Sequence, residues 1–453
     1  MDFHPYSLLY TRRDTAAMTR SVIKAQIIEP SLWVLTLFVL CFTTGRGYAQ
    51  NAADPEAKPP LAKNPYVKYS DPWRWDIRSQ IFLRTGVTYF NTSEPTRNTE
   101  QEQASTVRWP FGDLEVIFPV AREGGFYWSP DLKVSAEMRV GDLKIDTKPK
   151  RLYTKGTKAE YTSWSTENTE VVVRQIHLTH ISHVVVADIE FDQVLARDLA
   201  WPDKWNDEAN GFLSPVVDSV GFDIAPDAED TIKTLLDFWT DNHDPKEMNE
   251  IDLVKYLTGK VIEHVQIRTP PTERSTRSGN RIGAASFVSS GAMSGFVVRS
   301  GDIVARNPIG SKHDLATLLC SVLRSAGIPA RTLICFNMRE TDIIEQMVSM
   351  VEFAMYDPKR DQTYWIPIDV DRFRLNGRRS AQYLQPWYFL GRNDELNDFV
   401  PISYYFHPPA SYIAFDLPAL YGVRSSSDLP EYVIQSVLID PQVSTSSGRS
   451  NTP

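Results

Sequence analysis

Ser311, Lys312, His313 and Asp314 stand side by side immediately before the apolar run LATLLCSVL. A hydroxyl, an amine, an imidazole and a carboxylate in one stretch could supply a nucleophile, a base and an orienting acid. The same spacing also has a structural use. Ser311-x-x-Asp314 is the pattern of a capping box, in which two side chains satisfy the free N–H groups at a helix start. Capping alone would make Asp314→Ala cost roughly 0.5–2 kcal/mol. A cation in the first helical turn is opposed by the helix dipole, and Lys312 would attack as a nucleophile only if burial drove its pKa down, so a solvated or ion-paired amine is expected. His313, also in the first turn, is expected to face solvent. Cys320 lies two helical turns beyond Lys312 and Cys335 falls in an apolar run, so both read as small packed hydrophobes rather than reactive thiols.

Three other groups have residue types that could carry chemistry. His177, His180 and His183 form H-x-x-H-x-x-H, but strand alternation sends the middle one to the opposite face, so no metal site is expected. Asn91-Thr92-Ser93 matches a glycosylation sequon, a triplet frequent by chance. The stretch 383–412 is strongly aromatic, and Trp387, Tyr388, Tyr404 and Tyr405 are expected to pack as core or lid rather than as a sugar platform. Nothing in the sequence implies a cofactor.

From Gly310 to Arg331, GSKHDLATLLCSVLRSAGIPAR resembles the nucleophile helix of the transglutaminase-like superfamily. In that pattern a glycine and the catalytic cysteine open a helix that closes in L-R-x-x-G-I-P-A-R. Asp314, Ala316, Leu323, Arg324, Gly327, Ile328, Pro329, Ala330 and Arg331 match. Trp365, Pro367 and Asp369 match the family's W-x-P-x-D strand. The resemblance spans about residues 226 to 370 and implies a papain-like core with a cysteine, histidine and aspartate triad for acyl transfer. Counting back from Gly327 puts the nucleophile position at Lys312. The histidine strand aligns through Glu352 or through Tyr356, which places the histidine at Val348 or at Met350. No histidine occurs between His313 and His407. Of the implied triad only Asp369 remains, with His313, Asp314, Glu352 and Trp365 as neighbours. The resemblance therefore implies a pseudoenzyme that binds proteins or peptides. The alternatives are a hydrolase or acyl transferase with a relocated site, built on Lys312, His313 and Asp369 or on His407, and a structural envelope component.

The elements that must position these residues give an α+β chain. Residues 1–49 read as a leader, because Arg20 and Lys24 precede an apolar run from Leu32 to Thr44 and Gly47 and Ala49 suit a cleavage site; Met18 is the expected translation start. The run is about 13 residues, short of the roughly 20 that a spanning helix needs, so no membrane span is expected after cleavage and the protein is expected to be secreted or periplasmic. Residues 50–72 read as a Pro- and Lys-rich linker. Residues 73–222 alternate in β-branched and aromatic runs, as in an antiparallel β-sandwich-like domain. From Pro226 the apolar period shifts toward 3.6. It puts Ile232, Leu235, Leu236 and Trp239 on one helix face and Ile251, Val254, Val261 and Val265 on another, and the core of helices packed on an antiparallel sheet is expected over 226–400. A loop over 270–300 holds one short apolar element at Phe287–Met293. The helix Leu315–Ala326 is followed by strands at 330–336, 351–357 and 363–370. An aromatic extension over 401–442 is expected to wrap back over the core, and 443–453 to be a disordered tail. At 453 residues with 42% apolar content the chain has enough material for two or three cores. A formal charge of −9 without a basic block excludes nucleic acid as a partner.

Overall fold

Two long strands organise the N-terminal half, β1 (Val67–Thr85) and β2 (Gln175–Phe191). They pair antiparallel from Val67↔Phe191 to Arg84↔Gln175, and the register breaks between Ser70 and Trp73. Asp71 takes φ 47° there, next to Pro72, which has no N–H for the ladder. The computed structural model describes residues 64–85, 109–110, 114–121, 123–129, 135–140, 143–145, 150–153, 160–166, 172–173, 175–215, 225–268, 298–339, 347–376, 385–404, 422–425, 433–434 and 437–443. The expected leader, the sequon at Asn91, the apolar element at Phe287–Met293, Tyr405 and His407 lie outside them. Among the described residues no helix is long and apolar enough to cross a membrane.

Strand Ser135–Val140 extends the β2 side of this sheet, and Val437–Val443 pairs along β1 from Trp75↔Val443 to Ile81↔Val437. A second antiparallel sheet runs Gly422–Ser425, Leu114–Val120, Glu160–Thr166, Lys150–Tyr153. Three expected boundaries therefore move. The first strand starts at Val67, inside the stretch read as linker. Residues 422–425 and 437–443 are strands of the N-terminal sheets, not a wrap over the core. Val443, read as the start of the tail, closes a strand. In each case the partner strand lies more than a hundred positions away, so local composition carries no trace of the pairing.

The core begins with α1 (Ala228–Trp239), which buries Ala228, Ile232, Leu236 and Trp239, and α2 (Glu250–His264), which buries Ile251, Val254, Leu257 and Val261. Leu235, expected on the first of these faces, is only half-buried. The short helix α3 (Gly301–Arg306) precedes α4 (Lys312–Ser325), whose residues from His313 to Arg324 are all buried. Helix α4 ends in a Schellman turn: Ile328 N–H donates to Leu323 O (2.9 Å), Gly327 N–H donates to Arg324 O (3.0 Å), and Gly327 has φ 87°. Beside these helices lies an antiparallel sheet of β3 (Ala330–Asn337), β4 (Met347–Asp357), β5 (Gln362–Ile368) and β6 (Phe399–Ser403), in the order β5-β4-β3-β6.

A buried ion pair joins this sheet to the N-terminal half. Arg331 on β3 and Glu352 on β4 are register partners, 2.8 Å apart and sealed from solvent. Gly125 N–H (2.8 Å) and Tyr127 Oη–H (3.2 Å) also donate to the Glu352 carboxylate. Arg331 donates to the Glu123 carbonyl at 2.6 Å, and its guanidinium lies 4.0 Å from the Trp365 ring centre and 4.1 Å from that of Tyr404. Segment 123–127 is thereby clamped to the sheet. A Cβ on Gly125 would come within 2.4 Å of the Trp365 carbonyl oxygen, so the close approach requires glycine.

Removing one partner leaves a buried charge uncompensated, so Glu352→Ala is expected to destabilise by roughly 3–5 kcal/mol. Asp237→Ala, which breaks the exposed Lys233–Asp237 pair, is expected to cost under about 1 kcal/mol. Urea unfolding midpoints compare the two, and similar losses would mean that the clamp does not hold the halves together.

Candidate functional site

The start of α4 is built by charge neutralisation. Ser311 Oγ accepts the His313 N–H (3.2 Å) and Asp314 Oδ2 accepts the Ser311 N–H (3.0 Å), which closes the expected capping box. Asp314 does more than cap. Its fully buried carboxylate also accepts Arg299 N–H (2.7 Å) and Nε–H (2.9 Å) and pairs with Nη2 at 2.9 Å. Burial is the largest influence on this carboxyl and raises its pKa, with Arg299 and the Ser311 N–H opposing. A Cβ on Gly310 would come within 2.1 Å of Asp314 Oδ2, which explains glycine two positions before Lys312.

Lys312 opens the helix and is half-buried. His313 departs from expectation: it is buried, and its Nδ1 lies 2.6 Å from Ser349 Oγ on β4. Burial, then the charge of Lys312, pushes its pKa down to about 3, so the imidazole is neutral at physiological pH. Ser349 is the residue that sequence reasoning missed. The two histidine registers, Val348 and Met350, flank it, and strand alternation turns both to the opposite face. Val348 pairs with Cys335 and Met350 with Leu333. Continuing the ladder past Val351↔Ile368 sets Met350, not Val348, level with Asp369. No sequence signal marked Ser349, because a motif alignment counts positions along the strand and not which face meets the helix.

Asp369 has become a cap. It precedes α5 (Val370–Leu375), and its Oδ1 accepts the Arg372 N–H at 3.1 Å. Its Oδ2 is shut off from solvent with no hydrogen-bond partner, 3.6 Å from Arg372 Nε. Burial pushes this carboxyl up to about 6, against the pull of Arg372 and Lys312. Glu352 and Trp365, expected as neighbours of the site, belong instead to the Arg331 clamp. Cys320 and Cys335 are buried; burial pushes the Cys320 thiol up to about 12 and that of Cys335 well above its ordinary value, so neither is a ready nucleophile. Among the described residues no group of three His, Cys, Asp or Glu is arranged to hold a metal. Trp387 stacks on Phe373 at 4.4 Å and, like Tyr404, is buried, so both pack as core.

Residues 239–370 match the family model described as the transglutaminase-like superfamily, and they form a transglutaminase-like domain. No curated protein matches the chain. Among solved structures, a chain described as a candidate cysteine protease from Cytophaga hutchinsonii is similar at 14% identity, with 83% of this chain and 100% of that chain covered and a TM-score of 0.41. A candidate protease from Parabacteroides distasonis is similar at 11% identity, covering 67% of this chain and 62% of that one, with a TM-score of 0.20.

Two expectations follow from the buried acids. Asp314→Ala removes the cap and strands Arg299, so its cost should exceed that of capping alone, at roughly 2–4 kcal/mol in denaturant unfolding. A loss below about 1 kcal/mol would mean that the Arg299 contacts are dispensable. Asp369 has a folded pKa of about 6 against an ordinary 3.8, so the folded chain holds the extra proton between these values. Its contribution to stability is complete below pH 3.8 and is lost as pH rises through 6. Asp369→Asn keeps an acceptor for Arg372 N–H without the charge, so thermal stability at pH 7 should hold or rise and the decline between about pH 4 and 6 should flatten. A fall in melting temperature at pH 7 would show that the buried charge is stabilising.

Proposed function

We propose that this chain, whose residues 239–370 form a transglutaminase-like domain, is an exported, catalytically silent protein that binds proteins or extended peptides. One observation carries the reading: the positions at which the family places its cysteine and histidine hold Lys312 and either Val348 or Met350, while the remaining acid, Asp369, is committed to capping α5. The surroundings support it. His313, Ser349 and Asp369 are all buried, so packing fills the space beside the start of α4. Export rests on the leader-like N-terminal segment, and a secreted or periplasmic location follows from it.

A hydrolase with a relocated site has one observation in its favour, the 2.6 Å contact between Ser349 Oγ and His313 Nδ1. Substrate access argues against it, since both groups are closed off from solvent.

The wild-type chain is expected to show no iodoacetamide-sensitive amine incorporation or peptide-ester hydrolysis. Lys312→Cys should place a sulfur at a helix N-terminus, where it alkylates faster than the buried Cys320 and Cys335 but gives no turnover without an imidazole. Thiol-dependent turnover by wild type would overturn the silent-core reading, and turnover abolished by Ser349→Ala would establish the relocated site instead.

A further inference from the structure

Strand β5 is an edge of the core sheet, and its outer side is only partly covered. Gly391 N–H donates to Pro367 O (2.7 Å) and Asp369 N–H to Phe389 O (3.0 Å), so residues 385–404 pair with the C-terminal end of the strand. Because backbone groups alternate in direction, the N–H and C=O of Trp365 and Thr363 point to the same outer side as the C=O of Pro367. Gly125 lies against Trp365 O. At Thr363 no described backbone group pairs with the edge.

A groove of roughly 210 Å³ opens there, between the β4–β5 turn, segment 123–124, Asn64 and the helix Asp207–Asn210. Thr363 lines it, and Thr363 Oγ1 is closed off from solvent with no hydrogen-bond partner. A buried hydroxyl left unpaired in this way is costly unless a ligand group completes it. The groove also carries Glu123, Glu208 and Asp361, and among the described residues no lysine or arginine lines it. Arg331 lies beneath, already engaged by Glu352 and the Glu123 carbonyl. An open strand edge in an acidic groove fits one kind of occupant: an extended backbone with a cationic side chain.

We propose that this groove binds an extended, basic peptide segment, which adds to β5 at Thr363 and sets a lysine or arginine among Glu123, Glu208 and Asp361. The site is at the hairpin end of β5, away from the start of α4. The proposal rests on the reading of the domain as a peptide binder and names where and what it binds.

The test uses the full chain and fluorescence anisotropy with a labelled seven-residue probe, Val-Thr-Val-Lys-Val-Thr-Val, beside the same probe with Glu in place of Lys. The Lys probe should bind at least about tenfold tighter than the Glu probe and weaken as salt rises from 50 to 300 mM. Asp361→Asn with Glu208→Gln should weaken it at least about fivefold. Asparagine suits φ 51° at position 361, so this variant should fold. Thr363→Pro removes the outward N–H together with the unpaired hydroxyl and should abolish edge addition. Lys-probe binding that is unchanged in both variants would overturn this groove while leaving the peptide-binding reading intact, whereas no binding of either probe would remove both. A Lys58→Glu and Lys63→Glu variant that binds the probe more tightly than wild type would also overturn the proposal, since the chain's own segment would then be the occupant.

Discussion

A guanidinium cannot give up its proton in a protein, so a buried arginine must find acceptors for its donors or the fold fails. Arg331 is in that position, and much of the architecture answers it. Glu352 supplies the counter-charge, the Glu123 carbonyl takes a further donor, and the rings of Trp365 and Tyr404 cover the guanidinium plane. The Glu352 carboxylate needs donors in turn, and Gly125 N–H and Tyr127 Oη–H provide them. This network draws a segment of the N-terminal half onto the core sheet, and it works only with glycine at the closest approach.

The start of α4 follows the same electrostatic logic with a different outcome. Each acid is tied to a structural partner: Asp314 to Arg299 and the Ser311 N–H, Asp369 to the Arg372 N–H. His313 is pressed neutral against Ser349. A thiol enzyme needs a thiolate stabilised by an imidazole at this end of the helix. Here the helix start carries a lysine, and the remaining acid, Asp369, lifted by burial, is a poor orienting group for a base. On the proposed reading of a silent core, the polar groups of the site serve the fold. The open edge of β5, by contrast, leaves the Thr363 hydroxyl without a hydrogen-bond partner in a groove that Glu123, Glu208 and Asp361 line.

Local sequence determined the elements with local causes. The capping box at Ser311 and Asp314 and the Gly327-Ile328-Pro329 stop define α4 at both ends, because the groups that satisfy helix termini lie within a few residues of them. The 3.6-residue period of α1 and α2 and the β-branched runs of β3 to β5 were legible for the same reason. The absence of a histidine between His313 and His407 also needed no structure. What the sequence left open depends on contacts between distant residues. The strand β1 pairs with β2 and with the strands Val433–Ile434 and Val437–Val443, so the pairing that makes Val67 a strand residue is invisible in the composition around it. Ser349 meets His313 only because α4 lies against that face of β4, and Glu352 is a clamp rather than a site residue only because Arg331 is its register partner. Burial decided the rest: it turned His313 from an expected solvent-facing residue into a neutral core group and raised Asp369, since desolvation is a property of the packed interior and not of the chain.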